Sequence, residues 1–185
     1  MTTAFEIAGY AIVSSNGMIA DSDCLMPNSL KFEADQQFLD ESLDAAALLV
    51  HGRKSHECQE RSHQRRRLLL TRSVETLRQD ETTSNQWLWN PAGLSLEEAC
   101  DAVGVREGRI AIIGGTAAYD MFLDRYDAFH ICRARKVFIP DGTPVFSRVK
   151  AGATPEQVLN THGLRQKQVR RLDEANEVDH VCWTR

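Results

Sequence analysis

Three observations predict an α/β fold with a largely parallel central sheet. Short apolar, β-branched runs alternate along the chain with stretches of helical periodicity. Two of those runs stop at glycine, Gly52 and Gly114-Gly115, and turn at once toward a predicted helix. The last two runs, residues 164–170 and 178–184, follow each other with no helix between them and suit an antiparallel hairpin at a sheet edge.

The elements can be justified in order. Residues 5–14 (FEIAGYAIVS) read as a strand. Residues 32–43 place Phe38, Leu39 and Leu43 at helical spacing, with Asn28 or Ser29 as the expected cap. Residues 46–50 are a continuous apolar run, as in a strand covered on both faces, and residues 67–71 and 86–89 are two more strands. A helix over 96–103 opens on a capping box, Ser95 with Glu98. A strand over 110–113 runs through the paired glycines into a helix over 116–123, and a strand over 128–134 follows. The polar stretches 58–67 (CQERSHQRRR) and 79–85 read as surface loops inside one domain spanning residues 1–185.

Composition narrows the function classes. With 185 residues, 42% of them apolar, the chain can bury a sizeable core. A formal net charge of −4 argues against nucleic acid as a main partner but leaves room for an anionic ligand held by a few arginines. The longest apolar run, residues 45–50, is too short to span a bilayer, and no secretory leader is visible, so no membrane partner is expected. The 5 cysteines are widely spaced and form no CxxC pair, which fits free thiols in a reducing, cytoplasmic setting. The 6 histidines show no metal-site spacing, so no metal is expected. A small-molecule substrate is the expected partner, for a monomer or a homodimer.

Four segments could carry chemistry. In RIAIIGGTAAYDMFL a strand ends in Gly114 and Gly115 and a helix starts at Thr116 and Ala117, so bare backbone and helix-start N–H groups could meet a pyrophosphate. In ALLVHGRKSHE the strand turns at Gly52 and presents Arg53, Lys54 and Ser55, two cations and a hydroxyl suited to an anion. RRRLLLTRS closes a strand on Thr71, Arg72 and Ser73, where a further phosphate could sit. On the helix after Pro27, Asp35 shares its face with Phe38, Leu39, Ser42 and Leu43, while Glu33 falls almost opposite and should see water. A carboxylate on an apolar face is costly unless paired or used. The chain has no GxSxG, no full GxGxxG and no Walker A loop, which argues against a serine hydrolase, a standard Rossmann dehydrogenase and a P-loop enzyme.

Taken in order, SSNGMIAD (residues 14–21), Met26-Pro27, the Asp35 helix, HGRKSHE, RRRLLLTRS, IGGTAAYDMFL and DGTPVF (residues 141–146) resemble the dihydrofolate reductase superfamily, which includes the reductase domain of bacterial riboflavin biosynthesis. The resemblance implies that family's fold: a mostly parallel central sheet, flanking helices and a C-terminal antiparallel hairpin. It implies NADPH as cofactor. Gly114, Gly115, Thr116 and Ala117 would line the pyrophosphate from one side, and Gly52, Arg53, Lys54 and Ser55 from the other. It allows a cis bond between Gly114 and Gly115. Thr71, Arg72 and Ser73 would meet the adenosine 2′-phosphate, and Ile12, Ile19 and Ala20 would flank the nicotinamide. Asp35 would be the catalytic carboxylate that binds the pterin, and Tyr10, Leu39, Ile113, Tyr119 and Cys132 would line the substrate pocket. Arg65 would match the arginine that holds a folate glutamate tail. Asn28, His51 and Cys132 depart from the family's usual Trp, apolar residue and hydroxyl at those places.

Three functions are open on these residues. One is NADPH-dependent reduction of dihydrofolate or a related pterin, favoured by HGRKSHE, Asp35 and Arg65. Another is a riboflavin-biosynthesis-type reduction of a pyrimidine ribosylamino-ketone. The last is NADPH binding without catalysis.

Overall fold

The computed structural model describes residues 5–55 and 61–185. In chain order the elements are β1 (Phe5–Ser14), β2 (Met18–Ala20), α1 (Glu33–Asp44), β3 (Leu48–Gly52), β4 (Arg67–Leu70), β5 (Leu77–Gln79), β6 (Gln86–Trp89), α2 (Leu96–Ala102), β7 (Gly108–Ile112), α3 (Thr116–Met121), β8 (Ala128–Ala134), β9 (Thr143–Pro144), α4 (Ser147–Lys150), α5 (Pro155–Thr161), β10 (Arg165–Asp173) and β11 (Val178–Thr184). Nine strands form one sheet in the order β10-β11-β8-β1-β7-β3-β4-β6-β5. The six from β8 to β6 are parallel neighbours, while β11 and β10 on one edge and β5 on the other run antiparallel. The predicted parallel centre and C-terminal hairpin are therefore both present.

Parallel strands must be covered on both faces, and the sequence of β1 shows how. Ala8 and Tyr10 face α1 with Leu49, Ala111 and Ala128, where small side chains let the helix lie close to the sheet. A larger cluster gathers Phe129, Phe146 and Trp183 with Leu96 and Cys100 of α2, Tyr119 of α3 and Leu159 of α5. The α2 capping box forms as expected, with Ser95 Oγ accepting from the Glu98 N–H and Glu98 accepting from the Ser95 N–H.

Several boundaries differ from expectation. Asn28 and Ser29 do not cap α1. Residues Asn28–Leu30 form a 3-10 turn that sinks Leu30 into the core, and α1 begins after Phe32, which offers no side-chain cap. The acidic first turn, Glu33 and Asp35, complements the helix dipole there instead. The helix α5 went unrecognised although it carries the same signature as α2: Thr154 and Gln157 form a capping box, with Pro155 at the first helical position. The two-stranded sheet β2-β9 was also missed, since strands this short carry no periodicity.

Gly9 of β1 shows how tightly the larger cluster is packed. A Cβ there would stand 2.3 Å from the Phe129 ring. Gly9→Ala should therefore cost about 1–3 kcal/mol through overpacking. Urea unfolding is expected to show a lower midpoint at an unchanged m-value.

Candidate functional site

The carboxyl ends of β1, β3, β4, β7 and β8 lie side by side, where sheets of this kind bind ligands. The two glycine turns meet there. The Gly52 N–H donates to the Gly114 carbonyl at 2.7 Å, and the Ile113 N–H donates to the Val50 carbonyl at 3.0 Å. The Gly114–Gly115 bond is cis, and Gly114 has a φ of 121°, a conformation L side chains rarely adopt. A side chain is disfavoured at Gly114, where space is tight and φ is positive, but would be in ordinary contact at Gly52. A Cβ on Gly114 would stand 3.0 Å from Ser55 Oγ, and a Cβ on Gly52 would stand 3.6 Å from the Gly115 nitrogen.

The result is a backbone cradle beside a hydroxyl. The N–H groups of Thr116 and Ala117 sit in the first turn of α3, where helix geometry gives them no acceptor. The Thr116 hydroxyl donates to the Pro144 carbonyl, tying α3 to the DGTP segment. Arg53 and Lys54 are exposed at the rim, and Lys54 Nζ reaches Cys24 Sγ at 3.5 Å. Residues His56 and Glu57 of the same motif lie outside the described residues, as does the helix expected to follow Gly52 there. At the end of β4, buried Thr71 accepts from the Ser73 N–H at 3.1 Å and its hydroxyl donates to Ser73 Oγ at 2.9 Å, while Arg72 is exposed. Ile19 and Ala20 of β2 are fixed by pairing with β9 and by Thr143 Oγ1, which donates to the Asp21 carbonyl at 2.9 Å. Gly142 permits this contact, since a Cβ there would lie 2.6 Å from the Ala20 carbonyl oxygen.

Asp35 is buried, with 4% of its surface exposed, while Glu33 faces water. The helical register read from the sequence is therefore observed. Burial pushes the Asp35 carboxyl up to about 6, and a hydrogen bond from the Cys132 thiol partly offsets that rise. Cys132 sits next to Ile12 in the β1–β8 register. Its thiol is itself pushed up, by burial, by the Asp35 charge and by the same hydrogen bond. Tyr119 is buried and donates to the Tyr10 carbonyl. Burial, and then the charge of Asp35, raises its phenol well above the ordinary value. Leu39 and Ile113 pack at the margin of the α1 cluster.

Two of the residues expected in the pocket have their polar side-chain atoms engaged by other groups. Tyr10 is in the core under α1, with its phenol oxygen 3.4 Å from Arg109 Nη1, toward the amino end of the sheet. Arg65 is buried and held by α1: its guanidinium donates to Asp40 and, at 2.6 and 3.0 Å, to Asp44 Oδ1. Arg61 pairs with the same two carboxylates.

One group of residues escaped the sequence reading. His130 of β8 and His180 of β11 share a hydrogen bond of 2.9 Å between Nδ1 and Nε2, with Tyr10 stacked on His130 and Phe38 of α1 against both. The signal was polar alternation on strands that had to be covered: His130 with Cys132, and His180 with Cys182.

No family model matches the chain, and no curated protein matches it. Solved structures do. A dihydrofolate reductase from Enterococcus faecalis, solved in complex with NADP(H) and RAB-propyl, superposes with a TM-score of 0.63 at 17% identity, over 97% of this chain and 96% of that one. A diaminohydroxyphosphoribosylaminopyrimidine deaminase/5-amino-6-(5-phosphoribosylamino)uracil reductase from Thermotoga maritima gives 0.64 at 16% identity, over 97% of this chain and 56% of that longer one. A pyrimidine reductase-like protein from Corynebacterium diphtheriae gives 0.61 at 16% identity, over 97% and 91% of the two chains. The glycine cradle and the buried helix carboxylate thus stand on a scaffold similar to those of these structures, and the chain has a dihydrofolate-reductase-like fold.

Proposed function

We propose that this protein is an NADPH-dependent reductase of a pterin-type substrate, dihydrofolate or a relative of it. The observation that carries this reading is Asp35: a buried carboxyl raised to about 6, whose charge acts on Tyr119, the phenol beside Gly114 of the backbone cradle. The cradle fits a dinucleotide. Gly114, Gly115, Thr116 and Ala117 would hold the pyrophosphate against Gly52 and Ser55, with Arg53 and Lys54 at the rim, and Thr71, Arg72 and Ser73 would meet the 2′-phosphate. When bound, NADPH supplies the hydride.

The chain's own residues would do the rest. Ile12, Ile19 and Ala20 would exclude water from the reacting face. Asp35, ionised in part near neutral pH, would accept N–H bonds from an amino-substituted ring and, when protonated, support proton delivery to the reduced bond. The Cys132 thiol would orient it. Leu39, Ile113 and Tyr119 would border the ring.

One observation favours a second reading, a riboflavin-biosynthesis-type reductase acting on a pyrimidine ribosylamino-ketone. Arg65, which would hold a glutamate tail, is already engaged by Asp40 and Asp44, so an anionic tail would have to displace two carboxylates built into α1. NADPH oxidation followed by absorbance decides between the readings. Turnover of dihydrofolate supports the first, turnover of the ribosylamino-ketone alone supports the second, and cofactor binding with no turnover of either rejects both.

The cofactor assignment makes two predictions. Arg72→Ala should weaken NADPH binding by about 1.5–3 kcal/mol, the worth of a charge-assisted contact, and leave NADH affinity nearly unchanged. Equal losses in a fluorescence titration would count against the 2′-phosphate assignment. Gly115→Ala should stay folded, because Gly115 has a φ of −77° and its Cβ would meet Ser55 Oγ at an ordinary 3.4 Å. It should nevertheless abolish NADPH binding, since the added methyl would occupy the cradle. Normal affinity would place the pyrophosphate elsewhere.

Asp35→Asn should separate chemistry from stability. Turnover should fall by roughly 10²–10⁴, with cofactor affinity unchanged. The native carboxyl titrates near 6, above its unfolded value, so its destabilising effect is full above that pH and fades as pH falls toward the unfolded value. The variant should therefore be more stable than the parent at pH 7.5, by up to about 3 kcal/mol, and no more stable near pH 4. Glu33→Gln, on the exposed face, should change neither quantity.

A further inference from the structure

The polar pair under α1 has no place in the chemistry described so far. His130 and His180 stand on neighbouring antiparallel strands, and their rings lie nearly parallel, 12° apart, with centroids 5.2 Å apart. Tyr10 stacks on His130 at 4.8 Å, and Phe38 packs at 4.4 Å from His180 and 5.8 Å from His130. Arg170 of β10 closes the stack over Phe38. Phe38 is one turn along α1 from Asp35, and Cys132, the strand partner of His180, is the residue that bonds to Asp35.

We infer that the His130–His180 pair is a positioning device for Asp35, fixing how deeply α1 seats its carboxyl beside Cys132. The inference rests on the reductase reading for its purpose but on packing for its mechanism. A hydrogen bond between two imidazoles sets both ring planes, so the surface under Phe38 has one shape. If one ring loses its partner, the other retains a buried polar nitrogen that must turn toward water. Turning removes the support under Phe38, and α1 lifts at its first turns.

The pair must also stay uncharged while Asp35 titrates. The groups around it are Tyr10 on β1, Cys132 on β8, Cys182 on β11, Arg170 on β10, and Phe38 and Asp35 on α1, with Arg109 and Glu6 beyond Tyr10. Burial, reinforced by His180 and Arg109, lowers His130 to about 4, and burial with Arg170 lowers His180 to about 4. Both rings are therefore neutral in the range where Asp35 gains its proton.

The test is to titrate the Asp35 carboxyl carbon by NMR in protein free of cofactor and substrate. His180→Phe keeps a ring against Phe38 but removes the hydrogen bond, whereas His180→Gln can return an amide to the place of Nε2. The first should move the Asp35 midpoint down from about 6, by roughly half a pH unit or more, as the carboxyl gains water. The second should return it close to the parent value. An unmoved midpoint in His180→Phe, or equal shifts in both variants, would overturn the inference. Should His180→Phe fail to fold, His130→Phe against His130→Asn makes the same comparison from the other ring. This titration needs no turnover, so its outcome is separate from that of the activity assay, which tests the reductase reading.

Discussion

Strand β3 runs two residues past Val50, the partner of the last residue of β7, and there the Gly52 N–H donates to the Gly114 carbonyl. Much of the candidate site depends on that bond. It joins two turns distant in sequence and brings Ser55 so close to Gly114 that a Cβ there would stand 3.0 Å from its hydroxyl. The start of α3 follows from it, because the chain leaves Gly115 directly into helix with its first N–H groups at the strand ends. Thr116 then bonds to the DGTP segment, which in turn holds β2, with Ile19 and Ala20, by strand pairing.

The other half of the site is set by an opposing cost. Burying Asp35 beneath α1 is unfavourable for a carboxylate, and the thiol of Cys132 offsets little of that cost. A residue selected for stability alone would not be a carboxylate there. The carboxylate-rich C-terminal end of α1 behaves differently. Arg61 and Arg65 are matched by Asp40 and Asp44, so charge is neutralised locally and α1 is tied to the segment before β4. One end of the helix thus carries an uncompensated carboxyl and the other a balanced cluster.

Most of the fold was legible because it rests on local signals. Parallel strands buried on both faces read as apolar runs, and α2 shows its start in Ser95 and Glu98. Asp35 was legible because helical periodicity alone puts it with Phe38, Leu39 and Leu43. The start of α1 was not, because burial of Leu30 outweighed the capping preference of Asn28 and Ser29. The short sheet of β2 and β9 was not, because its pairing is set by contacts across more than a hundred residues.

From the sequence alone came the α/β class, the parallel centre, the C-terminal hairpin, the two glycine turns and the face on which Asp35 lies, since each depends on residues close together in the chain. Tertiary structure alone decided that the two turns bond to each other, that Arg65 is held by Asp40 and Asp44, and that His130 and His180 pair beneath Phe38. The physical reason is common to all three. A hydrogen bond or ion pair between distant residues is specified by strand order and register, and these emerge only when the whole sheet has closed around its core.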